Sequence, residues 1–334
     1  MEQRINREAG VFFLGNSLDR RRFLKYAGAI SAVVGASALG LDLLLTQPEA
    51  SPATTKVAAV TPSSRKSSIP TTQAVSKPES GKRLAWMINL EALDALLKAG
   101  LPENLVSHFF DNPYTFLMGS GNVPLQLHCR PTQVFTSFQT MQEAFAKNQI
   151  RPSTKAIVYD NEAWEFTPAN EQANPASYAQ RAAELVHDHD LTFVCTPATD
   201  LVRVLAPGVH EGDMFAQYLI LGIAADAARY CDVFEIQAQG SEMNVGEFSQ
   251  FVTNAAQQAR QANSNVIVLA GLSTGPSGKV VTADQIYNAA LSVLDAVEGF
   301  WLNIPGKGRY CPRCSDPKPE LAVQFLQSLA TDGY

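Results

Sequence analysis

Two carboxylates stand two residues apart in AIVYDNEAWEFTP, residues 156–168, directly after an apolar run. Asp160 and Glu162 are followed by Trp164. Crowded carboxyls suit proton transfer, because one of them keeps its proton as an acid while its neighbour stays charged. A second stretch, DVFEIQAQ (232–239), sets Glu235, Gln237 and Gln239 at alternate positions. Alternate residues of a strand share a face. Phe234, Ile236 and Ala238 therefore form an apolar side, with the three polar residues opposite. By the same alternation, Val158, Asp160 and Glu162 share one face against Ile157 and Tyr159. Such polar side chains cannot line an apolar core without partners. Asn89, Thr196, Trp301 and Asn303 are candidates to share that interior.

Elements must position these groups, and the pattern of the chain supplies them. Apolar runs suited to buried strands fall at 84–90, 115–119, 156–160, 191–196, 232–238, 266–272 and 299–304. Helix-like stretches lie between most of them, at 91–99, 133–147, 175–189, 214–230, 246–262, 283–297 and 318–330. Asn174 before Pro175 marks a helix start, and Thr282 suits a cap for the helix beginning at Ala283. This alternation predicts parallel βα units. Their number and length predict an α/β fold, a (β/α)8 TIM-barrel-like domain of seven to eight parallel strands over 83–334. The eighth strand is not obvious, and VPLQLHC (123–129) is one candidate. A doubly wound open sheet is the alternative, but no Gly-rich phosphate fingerprint follows the first strand. GLSTGPSGK (271–279) has the wrong Gly spacing for a phosphate loop, and Lys279 lacks a following Ser or Thr.

In a barrel the outer strand faces pack on helices, so the acids point inward or toward the C-terminal mouth, where active sites sit. Carboxylates, carboxamides and tryptophans around one mouth suit sugars. Amides and acids bind hydroxyls, Trp stacks on the C–H face of a ring, and a carboxyl pair supplies acid and nucleophile or base. Glu162, Asp160 and Glu235 are the candidate catalytic set, with Asn89, Trp164, Gln237, Gln239, Trp301 and Asn303 as candidate substrate contacts. The competing readings are a structural polar layer that fills the barrel interior, and a catalytically silent barrel that binds a polar ligand or envelope polymer.

The D-x-E of Asp160 and Glu162 at a strand end is similar to the close of the chitinase-type motif of glycoside hydrolase family eighteen. That resemblance implies Glu162 as the acid and Asp160 as the group orienting an N-acetyl substituent. It covers these two residues and Trp301 on a late strand. Val158 and Lys155 stand where the family's earlier acids are expected, a departure from the motif.

At the other end of the chain, DRRRFLKYAGAISAVVGASALGLDLLL (19–45) resembles a twin-arginine export signal. Arg20 and Arg21 match the pair, Phe23, Leu24 and Lys25 follow as expected, and Asp19 replaces the usual Ser or Thr. The resemblance implies passage of a folded protein through the twin-arginine translocase, to the periplasm, envelope or medium. Signal or anchor is assigned to 1–53, with small-residue cleavage candidates at Ser51-Pro52-Ala53 and Val57-Ala58-Ala59. The apolar run from Tyr26 to Leu41 is short for a membrane span, and a retained tether stays open. From Thr46 to Lys82 the chain is rich in Ser, Thr, Pro and Ala, so 54–82 reads as a disordered linker.

Composition bounds the partners. Of 334 residues, 46% are hydrophobic and 17% charged, enough to bury a large core. The net charge is −6, with six Lys and Arg against three acids in residues 1–25, so the remainder is strongly acidic. An acidic body disfavours nucleic acid. The expected partner is a carbohydrate-like small molecule or polymer, with no cofactor and no metal. Cys311 and Cys314 form a lone C-x-x-C, half a zinc site at most, which points first to a local disulfide. Cys195 and Cys231 read as small core residues. In VHDHD (186–190), His187 and His189 diverge around a helix end and make a poor metal pair.

Overall fold

The computed structural model describes residues 83–119 and 127–334. The expectations for the signal or anchor at 1–53 and the linker at 54–82 lie outside the described residues. Eight strands close into one parallel ring in sequence order: β1 (Ala85–Asn89), β2 (Thr115–Met118), β3 (Arg130–Phe135), β4 (Ala156–Tyr159), β5 (Thr192–Cys195), β6 (Val233–Ile236), β7 (Ile267–Ser273) and β8 (Gly299–Asn303). β8 pairs back onto β1, with Trp86 opposite Phe300 and Met87 opposite Trp301. The expected (β/α)8 barrel is the observed fold.

Six of the eight strands fall inside the apolar runs of the sequence, and β7 runs one residue past its run, to Ser273. The exception is β3. Residues 123–126 of the strand expected at 123–129 lie outside the described residues, and 127–129 are not strand. The ring is completed instead by RPTQVF, whose first four residues carry charge, a proline and two polar side chains. The expected helix at 133–147 accordingly starts later, at Phe138, where Ser137 accepts from Thr140 N. Glu171 adds its carboxylate at the same end, accepting from Phe138 N at 2.6 Å and Gln139 N at 3.2 Å. Both acceptors satisfy amides that a helix start leaves open.

Helices cover the outside. Pro175–His187 begins with its proline at the first helical position, and Ala283–Leu291 carries a full capping box between Thr282 and Gln285. The stretch expected as one helix at 214–230 is two, Met214–Ile220 and Ile223–Ala228, separated by Gly222 at φ +68. The helix Glu103–Phe110 was not foreseen. Its Val106, Phe109 and Phe110 pack with Trp86 and Phe300 on the outer face of the ring.

Strand alternation sorts the core into two sets. Outward residues such as Ile157, Tyr159, Phe234, Ile236 and Ala238 join the helices in one large cluster. Inward residues, Ala85, Met87, Phe116, Met118, Ala156, Val158, Val194, Val233, Ile267 and Leu269, form a separate plug inside the ring. The floor of the mouth is therefore apolar.

Candidate functional site

The strand part of β4 ends at Tyr159, so Glu162 is carried by a loop and not by the alternation expected over 156–162. Asp160 still continues the inward row above Val158, and its N–H donates to Phe135 O at 2.9 Å. The loop then turns back. Ala163 N donates to the carboxylate of Asp200 at 2.9 Å, and Glu162 N reaches Thr167 Oγ1 at 3.4 Å. These bonds bring the Glu162 carboxyl into hydrogen-bonding contact with that of Asp160.

Two strands supply the partners of this pair. Thr196, just past β5, donates its hydroxyl to Asp160 Oδ1 at 2.8 Å. Gln237, just past β6, donates Nε2 to the same oxygen at 2.9 Å, to Glu162 Oε1 at 3.4 Å and to Thr196 O at 2.9 Å. Asp160 is thus the acceptor at the centre, and Gln237 is the bridge. Burial pushes the Asp160 carboxyl up to about 6 despite these donors. Burial, then the negative fields of Asp160 and Asp200, push Glu162 up to about 10. Burial also raises Asp200, against the donated amide of Ala163. Both carboxyls therefore hold a proton more tightly than free ones would, Glu162 the more strongly of the two.

Glu235 lies lower. It is fully buried on the inward face of β6, and neither carboxyl oxygen has a hydrogen-bond partner among the described residues. Burial, with Asp160 adding, holds its carboxyl well above the ordinary range. Its depth sets it apart from Asp160 and Glu162, with which the sequence grouped it.

The other expected contacts divide. Gln239 is half-buried, and its amide occupies the space that a side chain at position 271 would fill: a Cβ on Gly271 would meet it at 2.3 Å. Gly271 lets the amide lie over β7. Trp301 packs on the inward apolar plug, and its Nε1 is buried without a partner among the described residues. Asn89 and Asn303 end β1 and β8 half-buried, and the Asn303 carbonyl accepts from Thr274 N at 3.0 Å. Neither asparagine bonds the acid pair. Trp164 is half-buried, donating Nε1 to Thr167 Oγ1 at 2.9 Å. Its ring meets Phe166 edge-on at 5.0 Å and Tyr310 at 5.9 Å.

Three acids near the mouth escaped the sequence reading. Asp200 sits in the loop after β5 with no alternation to mark it. Glu171 is buried and takes the hydroxyl of Tyr159 at 2.8 Å as well as the two helix amides. Glu242, also buried, accepts Gly240 N and Ser273 N, and burial lifts it to about 7. Only their backbone partners reveal the last two as braces between loops, and no residue spacing encodes that.

Cys311 and Cys314 are disulfide-bonded, as the spacing indicated, while Cys195 and Cys231 are buried free thiols. His187 pairs with Asp232 at 3.0 Å beneath the barrel, and His189 stacks on Phe145. Among the described residues, no group of three or more His, Cys, Asp or Glu is arranged to hold a metal ion. A cavity of about 380 Å³ opens on the flank, lined by both Pro175–His187 and Ile223–Ala228. It touches Asn161 but not Asp160, Glu162 or Gln237.

No family model matches the chain, and no curated protein matches it. Solved structures that it resembles include a candidate alpha-L-fucosidase from Bacteroides thetaiotaomicron, at 9% identity and TM-score 0.37, over 58% of this chain and 60% of that one. A beta-1,3-glucanosyltransferase from Rhizomucor miehei, an active-site mutant with laminaritriose, gives 11% and 0.37 over 71% and 96%. A curdlan-specific exo-beta-1,3-glucanase from Blastomyces gilchristii with glucose gives 14% and 0.39 over 74% and 98%. This chain spans less than two thirds of the first of these. At such TM-scores the likenesses carry no weight for activity, and the barrel rests on its own strand pairing.

Proposed function

We propose that the barrel is an exported hydrolase of glycosidic bonds, with Glu162 as the general acid. The observation that supports it is the pairing of Asp160 and Glu162 at the mouth, bridged by Gln237; the stronger upward push on Glu162 is the reason for placing the shared proton there. A leaving alkoxide needs a proton as the C–O bond breaks, and a carboxyl that keeps its proton at neutral pH can give it. Asp160, fixed by Thr196 and Gln237, then faces the positive charge that develops on the sugar.

Both carboxyls accept from the one Gln237 amide nitrogen and so stand side by side, not opposed across a bond as an acid and a nucleophile or base would. The two carboxyls therefore act from one side of the bond. The attacking group is water, or a carbonyl of the substrate's own N-acyl group as the chitinase-type resemblance implies. Gln239 and Trp164 flank the pair as hydroxyl and ring contacts.

The export part rests on Arg20 and Arg21 and their flanking residues. The disulfide Cys311–Cys314 supports an oxidising destination. Residues 83–334 as an independent domain, and a tether through the N-terminus, belong to the same proposal. Replacing Arg20 and Arg21 by Lys should leave the protein in the cytoplasm, and undiminished export would rule out a twin-arginine route.

For the activity, the full chain is assayed for release of reducing ends from a glycan panel, alongside Glu162→Gln. Turnover that collapses while glycan binding persists supports the hydrolase. Glycan binding without turnover in the wild type assigns the barrel to the non-catalytic binders instead.

A further inference from the structure

The loop after β8, residues 304–318, crosses the mouth. β8 and β4 stand on opposite sides of the ring. Yet Tyr310 lies 5.9 Å from Trp164 and 5.0 Å from Phe166, both in the loop after β4. The far loop is therefore a strap that reaches the loop carrying Glu162, Trp164 and Phe166. Its own backbone holds it in shape: Lys307 N donates to Ser315 O at 3.0 Å, and Cys314 N to Cys311 O at 3.2 Å inside the disulfide. It is also seated on the loop after β7. The carbonyl of Arg313 approaches Gly278 so closely that a Cβ there would meet it at 2.3 Å, at a backbone φ of +80.

Two properties set this strap apart from the rest of the surface. The first is aromatic: Tyr310 is 63% exposed, a large ring left open to solvent beside the half-buried Trp164 and Phe166. The second is charge. Residues 83–334 hold 15 Lys and Arg against 26 Asp and Glu. Four of those 15, Lys307, Arg309, Arg313 and Lys318, fall within 305–318, where Asp316 is the one acid. Arg309 lies over the Phe166 ring at 4.5 Å from its centroid. Among the described residues no salt bridge ties any of the four to an acid. Glu165, exposed between Trp164 and Phe166, is the nearest acid in sequence on the facing loop.

Open ring faces take the C–H faces of sugars, and an unpaired guanidinium offers a planar fork that fits a carboxylate or phosphate. A neutral glycan would use the rings alone and gives no reason to gather cations on an acidic body. We propose that the strap binds an acidic polysaccharide, with Arg309 and its neighbouring cations on the chain's carboxylates or phosphates and Tyr310 on a sugar ring. This rests on the reading of the mouth as a glycan site and names the class of glycan that it takes.

Binding is measured apart from turnover, with the full chain and four probes of matched length: polygalacturonate, a phosphomannan, a neutral beta-glucan and a single-stranded oligonucleotide. At low salt, polygalacturonate or phosphomannan should bind at least tenfold tighter than the neutral glucan, and the margin should shrink as salt rises. Whichever of the two binds tighter identifies the anion as carboxylate or phosphate. Arg309→Gln should lose about tenfold on the acidic glycan with no change on the neutral one, Arg309→Lys should fall between, and Tyr310→Ala should weaken both. Equal affinity for acidic and neutral glycans, or indifference to Arg309→Gln and Tyr310→Ala, overturns the proposal. Tighter binding of the oligonucleotide than of either acidic glycan overturns it as well. Discrimination without any turnover would defeat the hydrolase reading alone, and turnover without discrimination would defeat this one alone.

Discussion

β4 and β6 each present a carboxyl on the inward face of the same ring, and depth gives the two opposite fates. Asp160, one step past the end of β4, collects Thr196 and Gln237 and brings Glu162 against it. Glu235, within β6, is closed off with no partner among the described residues. One pleat separates the carboxyl proposed for proton transfer from one that is buried without a partner among the described residues. The polar face of a barrel strand is thus no guide to chemistry until its level above the apolar plug is known.

The largest effect expected from this contrast is on turnover. Glu162→Gln keeps the shape and the contact with Gln237 but has no proton to give, so activity should fall about 10²–10⁴-fold. Glu235→Gln should leave activity within a few-fold of wild type under the same reducing-end assay. A comparable collapse in both variants would erase the distinction between the two levels.

Stability comes next and runs in the other direction. An unpartnered buried carboxyl costs roughly 1–3 kcal/mol, so Glu235→Met should raise the unfolding free energy by about that amount in denaturant titrations. Destabilisation by Glu235→Met would mean that the carboxyl is satisfied in solution.

The pH dependence of stability sharpens the upper level. Asp160 and Glu162 both hold protons more tightly in the folded chain than in the unfolded one, where they titrate near 3.8 and 4.5. Their contribution is therefore most favourable below those values. It falls as pH rises toward about 6 for Asp160 and about 10 for Glu162, then levels off. Melting temperatures of wild type should decline across that window. Glu162→Gln should flatten the decline above about pH 6 and melt higher than wild type at pH 8, the usual trade between a strained site and stability.

The smallest effect concerns the strap. Replacing Cys311 and Cys314 by Ser opens a loop of two intervening residues, and should lower the melting temperature slightly while leaving the barrel's cooperative transition intact. A large loss would make the disulfide part of the core and not of the rim.

Much of this arrangement is legible in the sequence because the alternation of strands and helices is written in apolar residues. Phe234, Ile236 and Ala238 announce their outward face, and Thr282 announces its helix. β3 is the counterexample: Arg130, Pro131, Thr132 and Gln133 carry no apolar signal, and the strand exists because its neighbours leave a place for it. At the site, Asp160 and Gln237 were legible as inward polar residues near strand ends, whereas Glu162 sits on the loop past β4. The bridging role of Gln237, the depth of Glu235 and the reach of Tyr310 across to Trp164 depend on contacts between residues 75 or more apart in sequence, or on level within the ring. Local pattern holds no record of either.

The central claim is that the pair keeps its proton on Glu162. The direct measurement is the titration of the Glu162 carboxyl carbon by NMR in protein labelled with ¹³C at glutamate Cδ, assigned by its disappearance in Glu162→Gln. The account predicts a resonance that stays in the protonated range at pH 7, titrates well above neutrality and moves downward in pH in Asp160→Asn. A Glu162 carboxyl that titrates near 4.5 and ignores Asp160→Asn would contradict it.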